Sequence, residues 1–311
     1  MEKGKKINLD MKQYGMFLAL IAIYVIFAFL TGGKNLSPAN INNLIMQNGY
    51  VVILAIGMLL CVLTGNVDLG VGSVVALTGA AAGIILADYK LNMWVAILAT
   101  LAIGLLVGMF AGFFIAYLSI PPFVVTLATM LMGRGLTYTM LKAQTKGPLP
   151  TDYTYIGSGF LPTIKIPFGR GTLDLVCLIA AAAVSILLIF FEGKSIATRK
   201  KYHFAAVPVW QRVAKLAVLL FIIWFFFYKL SRYNGIPFVL LLMVVLIVIY
   251  AFITTKTVAG GPVHALGRKR KGTQPFRVHT KKVFFRGDTN MGIFSAVARV
   301  VLSGPYGDPH P

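Results

Sequence analysis

Gly65–Ala80 reads GNVDLGVGSVVALTGA and Ile120–Leu136 reads IPPFVVTLATMLMGRGL, and an almost unbroken apolar stretch joins them. An acidic residue, Asp68, a basic one, Arg134, and the pair Pro121–Pro122 stand inside chain that is otherwise fit for lipid. Unpaired backbone groups in lipid cost several kcal/mol each, so irregular chain at membrane depth survives only where protein or a water-filled path surrounds it. A break around Asp68, Gly70, Gly72 and Ser73 therefore points to a broken-helix element beside a path. Pro121 and Pro122 lack amide hydrogens and disfavour helix in the residue before them, so they separate one span from the next.

Composition sets the class. Apolar residues make up 58% of 311 and the mean hydropathy is +0.82, while 12% are charged, against roughly 25% in an average soluble domain. The predicted fold is all-α, a polytopic membrane bundle of about eight transmembrane helices followed by an incomplete C-terminal segment. The net charge of +20 comes from 29 Lys and Arg against 9 Asp and Glu. These cations cluster between apolar runs, as in cytoplasmic loops, with no aromatic-interleaved basic fold or zinc spacing, so a membrane partner is expected and nucleic acid is not. Cys61 and Cys177 lie in apolar runs and give neither a disulfide framework nor a metal spacing.

The eight spans are Tyr14 to Leu30, Tyr50 to Leu63, the run ending at Ala87, Met93 to Leu118, Phe123 to Leu141, Leu173 to Phe191, Leu216 to Tyr228 and Phe238 to Ile253. The first lacks an A-x-A-like cleavage site and is expected to stay as a span. Asn35 to Asn43 reads as a polar outer linker, and Lys142 to Thr172, rich in proline and of mixed charge, as an outer loop. The N-terminus, the Lys194–Lys215 stretch and the segment after the eighth span hold most of the 29 cations, which places all three in the cytoplasm. Gly79 with Gly83, and Gly104 with Gly108 and Gly112, repeat every four residues and predict faces where helix backbones approach closely.

At about 100° per residue, Thr126, Thr129, Gly133 and Thr137 fall within about 80° of one another, with Arg134 at the edge. Two readings of this stripe stand side by side: hydroxyls bonding back to their own helix, or a hydrogen-bonding surface along a translocation path. Burying Arg134 or Asp68 demands a partner or water. Gly193-Lys194-Ser195 matches the end of a Walker loop, but Leu188 stands where that motif needs its first glycine, so no ATP site is expected.

The residues of these two blocks resemble the permease subunits of bacterial ABC importers for monosaccharides, of the ribose, xylose and galactose type. The match rests on Gly65, Asp68, Leu69, Val71, Gly72 and Ser73, then Ile120 to Leu127 and Gly133 to Leu136, and it extends more loosely from about Tyr50 to Thr257. The family usually has Ser where this chain has Gly70. The resemblance implies a permease dimer in the bacterial inner membrane, an external or periplasmic sugar-binding protein that delivers the solute, and a separate ATPase subunit that uses ATP. The chain itself would bind no cofactor and catalyse no covalent chemistry.

In that family the loop after the eighth span docks on the ATPase. Ala265 and Gly267 keep its pattern, and Arg268-Lys269-Arg270-Lys271 interrupts it. Agreement returns at Val278 to Val283 and Asn290 to Ala298 without a change in spacing, as short frame errors in the reading or a decaying gene copy would produce. The expected organisation is therefore a permease domain over 1–254, a basic docking-loop remnant over 255–290 and an aberrant, truncated segment over 291–311. Met291 to Leu302 is too short to cross a bilayer, which takes about 20 residues. Four adjacent cations repel one another and are poorly suited to a packed contact, so ATP hydrolysis is expected to be uncoupled from transport in this chain. On the residues alone, a self-sufficient secondary transporter using Asp68 and Arg134, or an inactive truncated permease, stays open beside the importer.

Overall fold

The computed structural model describes residues 11–168, 171–201, 208–256 and 280–304. Among them are ten α-helices and one short hairpin. Seven helices are long and apolar enough to cross a membrane, and they include all but the first of the eight expected spans. That first span lies in helix α1 (Met11–Leu30), whose apolar part, Leu18–Leu30, is shorter. The polytopic helical bundle read from the sequence is the fold. The chain divides into two compact units, Met1–Asn43 with Thr163–Gly235, and Leu44–Pro162 with Ile236–Pro311.

In the first unit α1 ends at Gly32 and Gly33, whose φ angles of 60° and 80° suit glycine. Gly33 N–H then donates to Ala28 O at 2.7 Å, satisfying one of the carbonyls a helix end leaves open. Helix α2 (Pro38–Thr64) begins within the stretch read as a polar linker and continues into the second unit. Its asparagines lower the local hydropathy, yet Asn42 and Asn48 donate to the carbonyls of Pro38 and Leu44, four residues back, and so sit inside a helix. The supposed loop after Lys142 also contains regular structure: α6 (Thr151–Ser158) and an antiparallel hairpin, β1 (Lys165–Phe168) with β2 (Gly171–Asp174). Asp174, 2% exposed, ties this hairpin to the helices after it. Its carboxylate accepts from Ile164 N, Val176 N and Cys177 Sγ, and its own N–H donates to Ser231 Oγ at 2.6 Å. Helices α7 (Leu175–Lys201) and α8 (Val209–Ser231) pack together, with Lys215 3.3 Å from Glu192.

The second unit contains α3 (Val71–Gly83), which widens into a π turn over Ile84–Asp88, α4 (Met93–Ala116), α5 (Pro122–Leu141), α6, α9 (Phe238–Lys256) and α10 (Thr280–Leu302). Helix α10 packs on α4, α3 and α6. A Cβ on Gly104 would lie 2.5 Å from Gly292 O, one on Gly108 2.7 Å from Asp288 O, and one on Gly112 3.0 Å from Phe285 O. The glycine triple is thus a backbone-packing face, as its spacing predicts, and α10 is the helix it receives. Phe294, Ala298 and Val301 of α10 join Ile53, Val239, Met243 and Tyr250 in one apolar cluster. Val300 joins Ala82, Leu86, Ala96 and Tyr153 in another.

Residue 290, read as the border between a basic loop and an aberrant tail, falls in the middle of α10. The helix starts 11 residues before Met291 and is 23 residues long. Its buried surface is built from glycine, serine and charged residues as much as from large aliphatics, so hydropathy alone misses it. Gly79 and Gly83 also depart from expectation. They face the side chains of Arg299 and Lys146, where the sequence spacing predicts another helix backbone.

Candidate translocation path

Thr64 ends α2, Gly65 turns the chain with φ +85°, and Asn66 to Gly70 run without helix to the start of α3. Asp68 Oδ1 accepts the Gly70 N–H at 2.7 Å, a local turn that replaces a helical hydrogen bond with a side-chain one. A Cβ at Gly70 would approach Thr126 O to 3.3 Å and Asp68 Oδ1 to 3.2 Å, so glycine lets the broken segment close on α5. Gly72 has open space around it. Ser73 is 3% exposed, packs on Gly133 of α5, and keeps its Oγ without a hydrogen-bond partner.

The break element and the polar stripe therefore meet at one α3–α5 interface. Thr126 and Thr129 are buried there, 2% and 7% exposed. Thr126 Oγ1 is 3.4 Å from both Val67 O and Phe123 O. Thr129 and Thr137 donate to Val125 O and Gly133 O of their own helix, at 2.9 and 2.7 Å. Thr129 and Thr137 thus spend their one hydrogen within the helix, and of the stripe's hydroxyls only that of Thr137 has lone pairs facing the cavity.

Toward the C-terminal end of α5 the interface opens into a cavity of about 530 Å³. Gly79 and Gly83 of α3 form one wall, and Arg134, Thr137 and Tyr138 of α5 another. Gln144, Thr145 and Lys146 border it from the following segment, and Arg299 enters from α10. Of the sequence candidates, Arg134 and Thr137 line this cavity; Thr126, Thr129 and Gly133 lie in the packed part of the same face. Lys146 Nζ is 2.7 Å from Asp88 Oδ2. Arg299 Nε is buried with no hydrogen-bond partner. Ala265 and Gly267, the docking-loop candidates, lie outside the described residues, as does the Arg268–Lys271 run.

Two groups in this unit escaped the sequence reading. Arg299 stands alone in the apolar run Ala296–Val301, and an isolated ionisable group among apolar residues was the signal that could have found it. Asp288 is 3% exposed beside Cys61, whose thiol donates to Oδ1 over 3.7 Å, and Oδ2 has no partner. Among the described residues no three His, Cys, Asp or Glu side chains come together in a way that could hold a metal ion.

A family model described as the permease component of the branched-chain amino acid transport system matches residues 40–304. The xylose transport system permease protein XylH of Haemophilus influenzae is 30% identical over 311 residues, covering all of this chain and 80% of that protein. XylH of Escherichia coli K12 is 27% identical over 304 residues, or 98% of this chain and 75% of its own. The ribose import permease protein RbsC of Escherichia coli K12 is 36% identical over 141 residues, 44% of this chain and 42% of its own. No solved structure matches. With the family pattern running from the second helix to the end of α10, and with apolar helices of spanning length to carry it, the chain belongs to this family of permease components and is a multi-pass helical membrane protein.

Proposed function

We propose that the chain is the membrane-spanning permease subunit of an ATP-driven, binding-protein-dependent importer of monosaccharides. The observation that carries this reading is the alignment of its whole length with xylose transport permeases. The cavity supports it. A polyhydroxy solute needs donors and acceptors between helices, and Thr137, Gln144, Tyr138 and the two arginines offer both kinds within one space. The structure motivates a route along the α3–α5 interface: Asp68 and Gly70 hold a non-helical segment against α5, and the same helix face widens into the cavity.

In this reading ATP is hydrolysed by a partner ATPase, sugar arrives on an external binding protein, and two permeases form the working unit in the bacterial inner membrane. The cation-rich N-terminus and the Lys194–Lys215 stretch face the cytoplasm. The test is sugar accumulation in cells that carry the ATPase and binding protein, with and without this chain in a form whose Arg268 to Lys271 are exchanged for small neutral residues. Accumulation that requires the chain supports the reading; accumulation that is the same without it refutes it.

A further inference from the structure

The charge of the α3–α5–α10 cavity exceeds what a neutral sugar requires. Its walls carry three cations, Arg134, Lys146 and Arg299, and no carboxylate. Asp88 neutralises Lys146. Neither guanidinium has a hydrogen bond or an ion pair among the described residues. Arg134 belongs to the block that resembles permeases for neutral sugars, so by itself it says nothing about the charge of the solute. The second guanidinium does. Arg299 comes from α10, and a Cβ on Gly79 would collide with its Nε, so the wall of α3 is shaped to let that guanidinium lie flat at the cavity edge. Arg299 is half-buried with its Nε sealed from solvent, while Arg134 is exposed at the cavity rim. An uncompensated charge of the first kind is expensive, and the planar fork of arginine matches a carboxylate with two parallel hydrogen bonds.

We infer that the cavity binds a sugar acid, a monosaccharide bearing one carboxylate, with Arg134 and Arg299 on the carboxylate and Thr137 and Gln144 on the hydroxyls. This rests on the reading of the chain as a sugar permease and narrows its cargo to an anionic class. The carboxylate of the ligand supplies the countercharge that the two arginines lack among the described residues, and the cavity volume leaves room for a single sugar ring with water.

The test is thermal unfolding of the full chain in nanodiscs of phosphatidylcholine, titrated with glucuronate or with glucose at constant ionic strength. Glucuronate is expected to raise the melting temperature saturably, at a concentration at least tenfold below any effect of glucose. Arg299→Gln and Arg134→Gln each remove that preference, while Arg299→Lys retains part of it and guards against a trivial folding defect. Equal responses to glucose and glucuronate, no response to glucuronate, or a glucuronate response unchanged in Arg299→Gln overturn the inference. So does a glucuronate response abolished by phosphatidylglycerol in the disc, which assigns the arginines to a lipid phosphate. The permease reading is tested apart from this by uptake: chain-dependent accumulation of neutral sugar, not competed by glucuronate, leaves the permease standing and removes the acid.

Discussion

Replacing Gly104 with alanine tests whether α10 is a structural centre of its unit. The new Cβ would stand 2.5 Å from Gly292 O and 2.8 Å from Ala296 Cβ, both on α10. Ordinary carbon contacts lie at about 3.5–4.0 Å, so α4 and α10 must separate by most of an ångström, and a backbone carbonyl cannot rotate away as a side chain can. Overpacking of this kind costs about 1–3 kcal/mol, and contact with backbone puts Gly104→Ala in the upper half of that range. Alanine returns about 1 kcal/mol through its better helix propensity, which leaves a net loss of about 1–2 kcal/mol. Gly135→Ala on α5 is the control, since nothing lies within 4 Å of its Cβ; it should gain about 0.5–1 kcal/mol. At about 2–4 °C per kcal/mol, the two variants should melt several degrees apart in detergent, with Gly104→Ala below the parent chain and Gly135→Ala above it. Gly104→Ala melting at or above Gly135→Ala would refute the packing of α10 on α4.

Other consequences are equally direct. Asp174→Ala leaves Ile164 N–H, Val176 N–H and the Cys177 thiol without their shared acceptor, at roughly 1–3 kcal/mol for each buried group; the hairpin should become protease-sensitive near residues 163–175, and unchanged digestion would count against the role given to Asp174. Arg134→Ala should keep a near-normal amount of folded protein and alter solute preference, because the side chain lines the cavity and holds no partner in place; a large loss of folded protein with unchanged preference would make it scaffold. Ser195→Cys should resist a membrane-impermeant thiol reagent added outside intact cells and react after permeabilisation, with Cys61 and Cys177 silent at 1% and 0% exposure; ready outside labelling reverses the orientation. Exchanging Arg268 to Lys271 for small neutral residues should raise sugar-stimulated ATP hydrolysis by the partner ATPase at least tenfold, and no change would release that run from any part in coupling.

The spanning helices were legible because membrane helices advertise themselves through long apolar runs, and the break at Gly65 to Gly70 because Asp68 and glycine interrupt such a run. The stripe on α5 was legible as a face. Its division into a packed half and a cavity half was not, since that depends on where α3 widens and where α10 arrives. Helix α10 was hard to read for a physical reason: Gly292 and the buried Asp288 lie against the glycine face of α4 and the half-buried Arg299 against Gly79 of α3, so its contacts come from close backbone approach and polar groups. Arg299 was obscured with it, being one isolated cation in a stretch where the family pattern breaks off. The asparagines at the start of α2 misled in the opposite direction, their amides being spent on carbonyls one turn back.

Sugar accumulation in sealed proteoliposomes bears most directly on the claim that this chain forms a path driven by a separate ATPase. The vesicles hold the chain, either unaltered or with Arg268 to Lys271 exchanged for small neutral residues, together with the external binding protein, with or without the ATPase subunit. The account predicts accumulation by the exchanged chain only when the ATPase is present and hydrolysing ATP. Accumulation by either chain in vesicles that lack the ATPase would contradict it.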